Sequence, residues 1–109
     1  MIWRIRERSV LARLAQDGRR ARAGVLWCSF LPDSTAMPPR VAFAIGRAVG
    51  SSVVRNRLRR QLRVILAAAD LPPGSLLVGV RPAGAGRSFH ELTSDVEALV
   101  RQLAKAAES

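Results

Sequence analysis

The sequence has little of the chemistry from which protein catalytic and metal sites are built. Its 109 residues include one cysteine, Cys28, and one histidine, His90. A lone cysteine excludes an internal disulfide and a multi-cysteine metal site, and a lone histidine has no imidazole partner for zinc. Cys28 lies in an apolar run and His90 lies off the apolar side of its helix. We therefore expect a buried thiol, a solvent-facing imidazole, and no catalytic or metal-binding residue.

Tyrosine and long apolar runs are also absent. The five aromatic residues are Trp3, Trp27, Phe30, Phe43 and Phe89. No apolar run approaches the roughly 20 residues that cross a bilayer. The N-terminal stretch MIWRIRERSV carries charges where a signal peptide needs an apolar segment. These features predict an aliphatic core, no membrane partner and a location in the reducing cytoplasm.

Acidic residues are scarce. Eight Asp and Glu stand against 18 Lys and Arg, giving a net charge of +10, and Lys105 is the one lysine. Such an excess is typical of a protein with a polyanionic partner, and the planar fork of arginine suits phosphate. A GC-rich genome also favours Arg over Lys. That bias explains the choice of arginine, but it does not explain the sign or size of the net charge.

Apolar periodicity and turn residues predict one domain over residues 1–109, an α+β domain in the order α-β-β-α-β-α. The predicted helices cover 9–17, Ser51 or Ser52 to the alanines before Leu71, and 88–107; the predicted strands cover 25–31, 40–45 and 76–80. We expect the first two strands to form an antiparallel pair. We also expect a small sheet with its helices on one face and the other face open. The RRARAG segment is interpreted as a basic connector.

Local signals predict how the helices begin and end. Ser9 is placed to cap the first helix, and Gly18 to end it in the left-handed conformation. Ser88 and Glu91 have the capping-box spacing, in which each side chain satisfies a free backbone N–H of the other residue.

The central helix combines a narrow apolar stripe with a broad cationic surface. At about 100° per residue, Val54, Leu58, Leu62 and Ile65 fall within roughly 80° of one another. Arginines cover most of the remainder, and residues 47–69 contain no Asp or Glu. A solvated helix normally mixes both signs of charge, so this pattern favours phosphate binding. Membrane binding and helix-turn-helix DNA recognition both fit poorly, because the helix lies mid-chain between predicted strands. RNA is the favoured partner.

Residues 40–63, RVAFAIGRAVGSSVVRNRLRRQLR, resemble the hallmark segment of the protein subunit of bacterial ribonuclease P. In that family a strand R-V-G-L-x-V precedes a basic S-K-K-x-G-N-A-V element and a helix R-N-R-x-K-R-x-x-R. The segment Arg55 to Arg63 fits the helix with a Lys-to-Arg exchange at Arg59. The order of the other elements fits as well, so the resemblance covers almost the whole chain.

The resemblance implies an α-β sandwich of the ribosomal protein S5 domain 2-like type, with a left-handed βαβ crossover around the central helix. It also implies an accessory subunit of a ribonucleoprotein endoribonuclease that removes 5′ leaders from precursor tRNA. The partners would be the catalytic RNA and precursor tRNA, and catalysis would belong to the RNA and its Mg²⁺. Two alternatives are a general RNA-binding or ribosome-associated module and a protein-based nuclease. The second is disfavoured because no catalytic constellation is evident.

The resemblance also implies site residues. Those similar to the family's RNA-contacting face and the turn before it are Arg47, Gly50, Ser51, Arg55, Asn56, Arg57, Arg59, Arg60 and Arg63. The family's leader cleft lies between its first strand, first helix and central helix, so Trp27 and Ser29 are candidate leader contacts. A core position is the competing interpretation for Trp27. The chain departs from the family at Ala48, at Ser51, and at Leu11 and Ala15, which replace first-helix aromatics.

Overall fold

The structure, a computed structural model, describes residues 1–108, with the side chains of residues 1–105. Its strands are β1 (Trp3–Arg4), β2 (Arg19–Ala23), β3 (Leu26–Pro32), β4 (Arg40–Ala44) and β5 (Gly74–Val80). Its helices are α1 (Arg8–Asp17), α2 (Ser52–Ala68) and α3 (Phe89–Glu108). Short 3₁₀ turns precede α2 (Arg47–Val49) and α3 (Pro82–Gly86). None of the helices within residues 1–108 is long and apolar enough to cross a membrane.

All five strands form one sheet in the order β1-β4-β5-β3-β2. β5 lies between β3 and β4, so that Leu76 is in register with Phe30 on one side and Val41 on the other. The predicted antiparallel pairing of the first two long strands is therefore wrong. β4 and β5 are parallel neighbours joined through α2, a βαβ unit of the kind that parallel pairing requires. The left-handed sense of that crossover stays a prediction.

Two edge strands add to the predicted order of elements. β2 covers Arg19 to Ala23, which the sequence indicated to be a connector, and pairs antiparallel with β3. β1 pairs parallel with β4 through two residues, Trp3 and Arg4. Both strands are arginine-rich and lie at the edges of the sheet, where exposed charges discourage pairing with another chain.

The helices lie on both faces of the sheet, not on one as the sequence suggested. Leu26, Cys28 and Phe30 point into the main core, which also holds apolar side chains of α2 and α3. α1 packs on the opposite face of β3, where the Ser29 hydroxyl donates to the carbonyl of Leu14 at 2.5 Å. The α-β sandwich is thus confirmed, but α1 covers the centre of the face that was expected to be open.

The predicted start of α2 and the capping box of α3 are confirmed, but the cap and the left-handed ending predicted for α1 are wrong. Ser51 Oγ accepts the Val54 N–H at 3.3 Å. The capping box of α3 forms in both directions, with the Glu91 N–H donated to Ser88 Oγ at 3.1 Å and the Ser88 N–H to Glu91 Oε1 at 3.0 Å. The prediction for Ser9 is wrong, because α1 begins at Arg8 and makes no side-chain cap hydrogen bond.

Gly18 ends α1 in an extended conformation, with φ −65°, so the predicted left-handed ending is wrong. The reason for glycine is a close approach. A Cβ at this position would lie 1.8 Å from Ser29 Oγ and 2.4 Å from the Leu14 carbonyl oxygen. Glycine thus correctly marked the end of α1. The residue is required there because Ser29 of β3 and the Leu14 carbonyl leave no room for a side chain.

Cys28 and His90 lie as expected. Cys28 is fully buried, and this burial raises the pKa of its thiol to about 11. The thiol therefore stays protonated and inert near neutral pH. His90 is exposed on the first turn of α3.

Candidate nucleic-acid interface

One side of α2 is buried in the core, and its arginines lie around the remaining surface. Leu58 and Leu62 are fully buried and Ile65 is 6% exposed, as the apolar stripe predicted. Val54 packs against the same core and is half-buried. The arginines divide into three groups by the surroundings of their side chains: one toward the sheet edge, one toward the second 3₁₀ turn, and one outward.

Three arginines lie on the side of α2 that faces the sheet edge: Arg55, Arg59 and Arg63. Arg59 donates to Asn56 Oδ1 at 3.0 Å and to the Ile45 carbonyl at 3.5 Å. The guanidinium of Arg63 lies 5.9 Å from the centre of the Phe43 ring, within cation–π range. Arg55 reaches Ser52 Oγ at 3.3 Å. These contacts extend the cationic surface from the helix toward β4.

Arg57 lies on the other flank of the apolar stripe. Its Nη2 donates to the Ala85 carbonyl at 2.7 Å, in the second 3₁₀ turn, and its side chain is half-buried. Its Nε is buried without a partner among the described residues. The predicted RNA contact thus also ties α2 to the turn that leads into α3.

The outward side of α2 carries Arg60 and Asn56, both exposed, between two exposed valines. Val53 is 77% exposed and Val64 is 62% exposed, so neither belongs to the core. Arg60, Asn56, Arg59, Arg63 and Val53 line one shallow depression. An exposed amide beside three guanidinium groups can present both acceptors and donors to a nucleic-acid backbone.

The turn before α2 is shaped by Gly50. Its φ of +154° disfavours any side chain, and a Cβ there would lie 3.2 Å from Val54. Ser51 is occupied as the helix cap, while Arg47 in the 3₁₀ turn is exposed. Gly50 and Ser51 therefore shape the backbone of the predicted site. The side chain of Arg47 is exposed to solvent and accessible to a ligand.

A groove runs from α1 to α2 across the edge of the sheet, and we refer to it as the α1–α2 groove. Its lining residues are Ile2, Trp3, Arg4, Ile5, Leu11, Val41, Ala42, Phe43, Arg59 and Arg63. Trp3 is its most exposed aromatic, with 55% of its surface accessible. The sequence reasoning missed Trp3 because a two-residue strand leaves no detectable alternation; the scarcity of aromatics was the one signal that pointed to it.

The two candidate leader residues, Ser29 and Trp27, differ in their accessibility. Ser29 is 1% exposed and donates its proton to Leu14, so its assignment as a leader contact is wrong: α1 covers it. Trp27 is half-buried on the α1 face and lies outside the main core, which removes the core interpretation. It lines a second groove with Arg20, Arg22 and Arg81, and not the α1–α2 groove.

The ion pairs of Arg87 are made with α3 and not with α2. Arg87 meets Glu91 at 3.0 Å and Asp95 at 2.9 Å, both on α3. The hydrogen bond to Asp95 raises the pKa of Arg87, and the bond from the Ser88 N–H lowers the pKa of Glu91. Asp95 also accepts the Val25 N–H at 3.4 Å, which fastens the turn between β2 and β3 to α3. This network stabilises the start of α3. The helix α2 has no acidic residue of its own that could pair with its arginines.

The side chains of residues 1–105 offer no cluster of three or more His, Cys, Asp or Glu that would hold a metal ion. The described surface carries groups that are suited to recognition of nucleic acid. Guanidinium groups on a rigid helix donate to phosphate oxygens, and exposed aromatic rings stack on bases.

Comparisons with known proteins agree with this geometry. The family model described as Ribonuclease P matches residues 2–104. The ribonuclease P protein component of Streptomyces avermitilis is 36% identical over 111 residues, covering 92% of this chain and 90% of that protein. The ribonuclease P protein structures from Staphylococcus aureus and Thermotoga maritima both superpose with TM-scores of 0.80. They cover 91% of this chain and 93% and 96% of theirs, at 14% and 19% identity, and so share the fold. The chain belongs to the ribonuclease P protein component family.

Proposed function

We propose that this chain is the RNA-binding subunit of ribonuclease P and acts in tRNA 5′ processing by holding the catalytic RNA on the cationic face of α2. One observation carries the proposal: α2 presents arginines on both flanks and on its outward side, with no acidic residue between positions 47 and 69. Such a face repels itself until an anion neutralises it. Phosphates of a folded RNA supply that neutralisation.

Within this face the arginines have different tasks. Arg47 and Arg60 are exposed and free to move onto phosphates, while Arg59 is already oriented by Asn56 and the Ile45 carbonyl. A guanidinium held by neighbours loses less side-chain entropy when it binds, so Arg59 acts as a pre-organised donor. Arg57 keeps one nitrogen on Ala85 and has further donors for RNA.

The 5′ leader of precursor tRNA is proposed to enter the α1–α2 groove. Trp3 offers a ring for one unpaired base, and Arg59 and Arg63 lie on the α2 side of the same groove for its phosphates. Leu11 supplies an aliphatic wall from α1. In this arrangement Trp3 has the stacking role that the sequence assigned to Trp27, because it shares a groove with α2.

Cleavage itself is proposed to reside in the RNA subunit with its Mg²⁺. The protein contributes positioning and electrostatics: it lowers the repulsion between two polyanions that must lie side by side. A protein that replaces part of the cation atmosphere reduces the concentration of Mg²⁺ that the RNA needs.

Reconstitution tests the proposal. Mixing this chain with a bacterial ribonuclease P RNA at low Mg²⁺ should raise the rate of precursor-tRNA cleavage above that of RNA alone, while the chain alone cleaves nothing. The rate of leader release under single-turnover conditions is the measurement. An unrelated structured RNA is the control competitor and should displace the chain only at much higher concentration. A rate equal to that of RNA alone would contradict the assignment.

A further inference from the structure

A second groove lies at the β2 edge of the sheet, apart from the one that reaches α2. α1 packs on β3 and β5, the two strands at the centre of the face that it covers. The outer strands stay uncovered on either side of it. Toward β1 and β4 lies the α1–α2 groove; toward β2 lies a groove lined by Arg20, Ala21, Arg22, Trp27, Cys28, Arg81 and Gln102. We refer to the latter as the Trp27 groove.

Trp27 forms the floor of this groove as a flat platform. It is in register with Gly79 of β5, and a Cβ on Gly79 would lie 2.0 to 2.3 Å from three atoms of the indole. The ring therefore lies against the backbone of the central strand. Among the described residues the one guanidinium that lies over an aromatic ring is that of Arg63, over Phe43, so the outward surface of Trp27 is not covered by a cation.

Cations surround the platform on the same side of the sheet. Arg22 is the cross-strand partner of Trp27, Arg20 lies two residues away on the same face, and Arg81 follows Gly79 with the same alternation. None of these three side chains forms a hydrogen bond or ion pair with the part of the chain that the structure describes. The groove contains no acidic side chain.

β2 is held in place by the helix behind it. Gln102 of α3 accepts the Arg22 N–H at 3.3 Å and donates to the Arg22 carbonyl at 2.5 Å. This pair satisfies the outward N–H and carbonyl of Arg22 in the edge strand. The arginine side chains therefore project from a fixed strand. Binding groups on a regular element are positioned more precisely than binding groups on a loop.

We propose that the Trp27 groove is a second binding site for single-stranded RNA, with one base stacked on Trp27 and the adjoining phosphates on Arg20, Arg22 and Arg81. An aromatic platform among unpaired arginines is the arrangement by which unpaired strands are held without sequence preference. The site is separate from the α2 face, since it lies at the β2 edge of the sheet and shares no lining residue with the grooves that carry the arginines of α2. The inference therefore does not depend on the proposed function.

The composition of the chain allows a direct test. Trp3 and Trp27 are the two tryptophans and tyrosine is absent, so Trp3→Leu leaves Trp27 as the sole strong fluorophore. Titrating this variant with a ten-nucleotide uridine oligomer at low salt should quench the Trp27 emission to saturation. Adding Arg20→Gln and Arg22→Gln should weaken that titration about tenfold. The matched control is Arg8→Gln with Arg13→Gln, two exposed arginines of α1 that line neither groove and that remove the same charge.

The outcomes separate the site from the proposed function. Unchanged Trp27 emission in the Trp3→Leu variant, while the wild-type chain stimulates the catalytic RNA, would overturn the groove and leave the proposed function standing. Equal weakening by the two arginine pairs would also overturn it.

The source of the strand is decided with the reconstituted enzyme and precursors that carry a short or a long leader. A loss of affinity from Arg20→Gln with Arg22→Gln that is confined to the long leader identifies the occupant as the 5′ part of the leader. An equal loss with both precursors identifies it as an unpaired strand of the catalytic RNA.

Discussion

Arg57 and Arg60 lie three residues apart on α2 and meet different surroundings. Arg57 donates to the Ala85 carbonyl at 2.7 Å, whereas Arg60 is exposed within the shallow depression of the outward side. A net hydrogen bond from a charged donor stabilises a fold by about 1.5 to 3 kcal/mol, and an exposed substitution changes stability by about 0.5 kcal/mol at most. The two arginines should therefore be separable by measurement.

We expect Arg57→Ala to lower the free energy of unfolding by about 1 to 2 kcal/mol, because Ala85 loses its donor and α2 loses a tie to the second 3₁₀ turn. Arg60→Ala should leave unfolding unchanged and weaken binding to the catalytic RNA. Urea denaturation and RNA titration of both variants give the comparison. Equal stability of the two variants would show that the contact with Ala85 contributes nothing to the fold.

At the scale of elements, the start of α3 depends on an acidic cap. The lowered pKa of Glu91 arises first from the Ser88 N–H that its carboxylate accepts, then from the Ser88 side chain and the nearby Arg87. The folded pKa lies below the unfolded one, so the carboxylate stabilises the fold above the unfolded pKa. That stabilisation is lost as the pH falls through the folded pKa.

Comparing the wild type with Glu91→Gln across pH isolates this contribution. Glutamine keeps an acceptor for the Ser88 N–H but loses the charge that Arg87 pairs with at 3.0 Å. We expect the wild type to be the more stable protein near neutral pH, with the difference shrinking as the pH falls below the unfolded pKa of about 4.5 and vanishing below the lower folded pKa. Thermal unfolding at several pH values measures it. A difference that stays constant into acid would mean that the charge of Glu91 has no role.

The elements that sequence predicted well are those specified locally. The start of α2 near Ser51 or Ser52, the Ser88–Glu91 box and the apolar stripe of α2 each depend on residues within a few positions of one another. The insertion of β5 between β3 and β4 depends on pairing across the whole chain, and a short loop gives no sign of it. β2 was not predicted because its arginine-rich sequence lacks the β-branched residues that indicate a strand, and β1 was not predicted because two residues show no alternation.

In the candidate site, too, the features that depend on residues close in sequence were predictable, and those that depend on tertiary packing were not. Helical periodicity correctly placed the arginines of α2 outside its buried apolar stripe, because that pattern needs no knowledge of the neighbouring elements. It could not show that Arg57 would turn to Ala85. The position of α1 decided the rest: by packing over Ser29 it buried one leader candidate and placed Trp27 in a separate groove. Which face of a sheet a helix covers is a tertiary outcome.

At the scale of the whole molecule, the net charge of +10 predicts strong salt dependence of RNA binding. Each neutralised phosphate lowers the logarithm of affinity by about 0.7 to 0.9 per unit of log salt. Replacing the exposed pair Arg47→Gln and Arg60→Gln should reduce the slope for the catalytic RNA by about 1.5. Arg8→Gln with Arg13→Gln, with the same loss of charge, should leave it nearly unchanged. Equal slopes for the two pairs would indicate that overall charge, and not the α2 face, governs the interaction.

The contact between Trp27 and Gly79 has a consequence for how this family can vary. The indole occupies the space that a side chain on the central strand would fill, since a Cβ at position 79 would meet it at 2.0 Å. A larger residue at position 79 is compatible only with a smaller one at position 27. The sizes of the residues at positions 27 and 79 should therefore be inversely correlated among relatives. We expect an aromatic residue at position 27 only where position 79 is glycine.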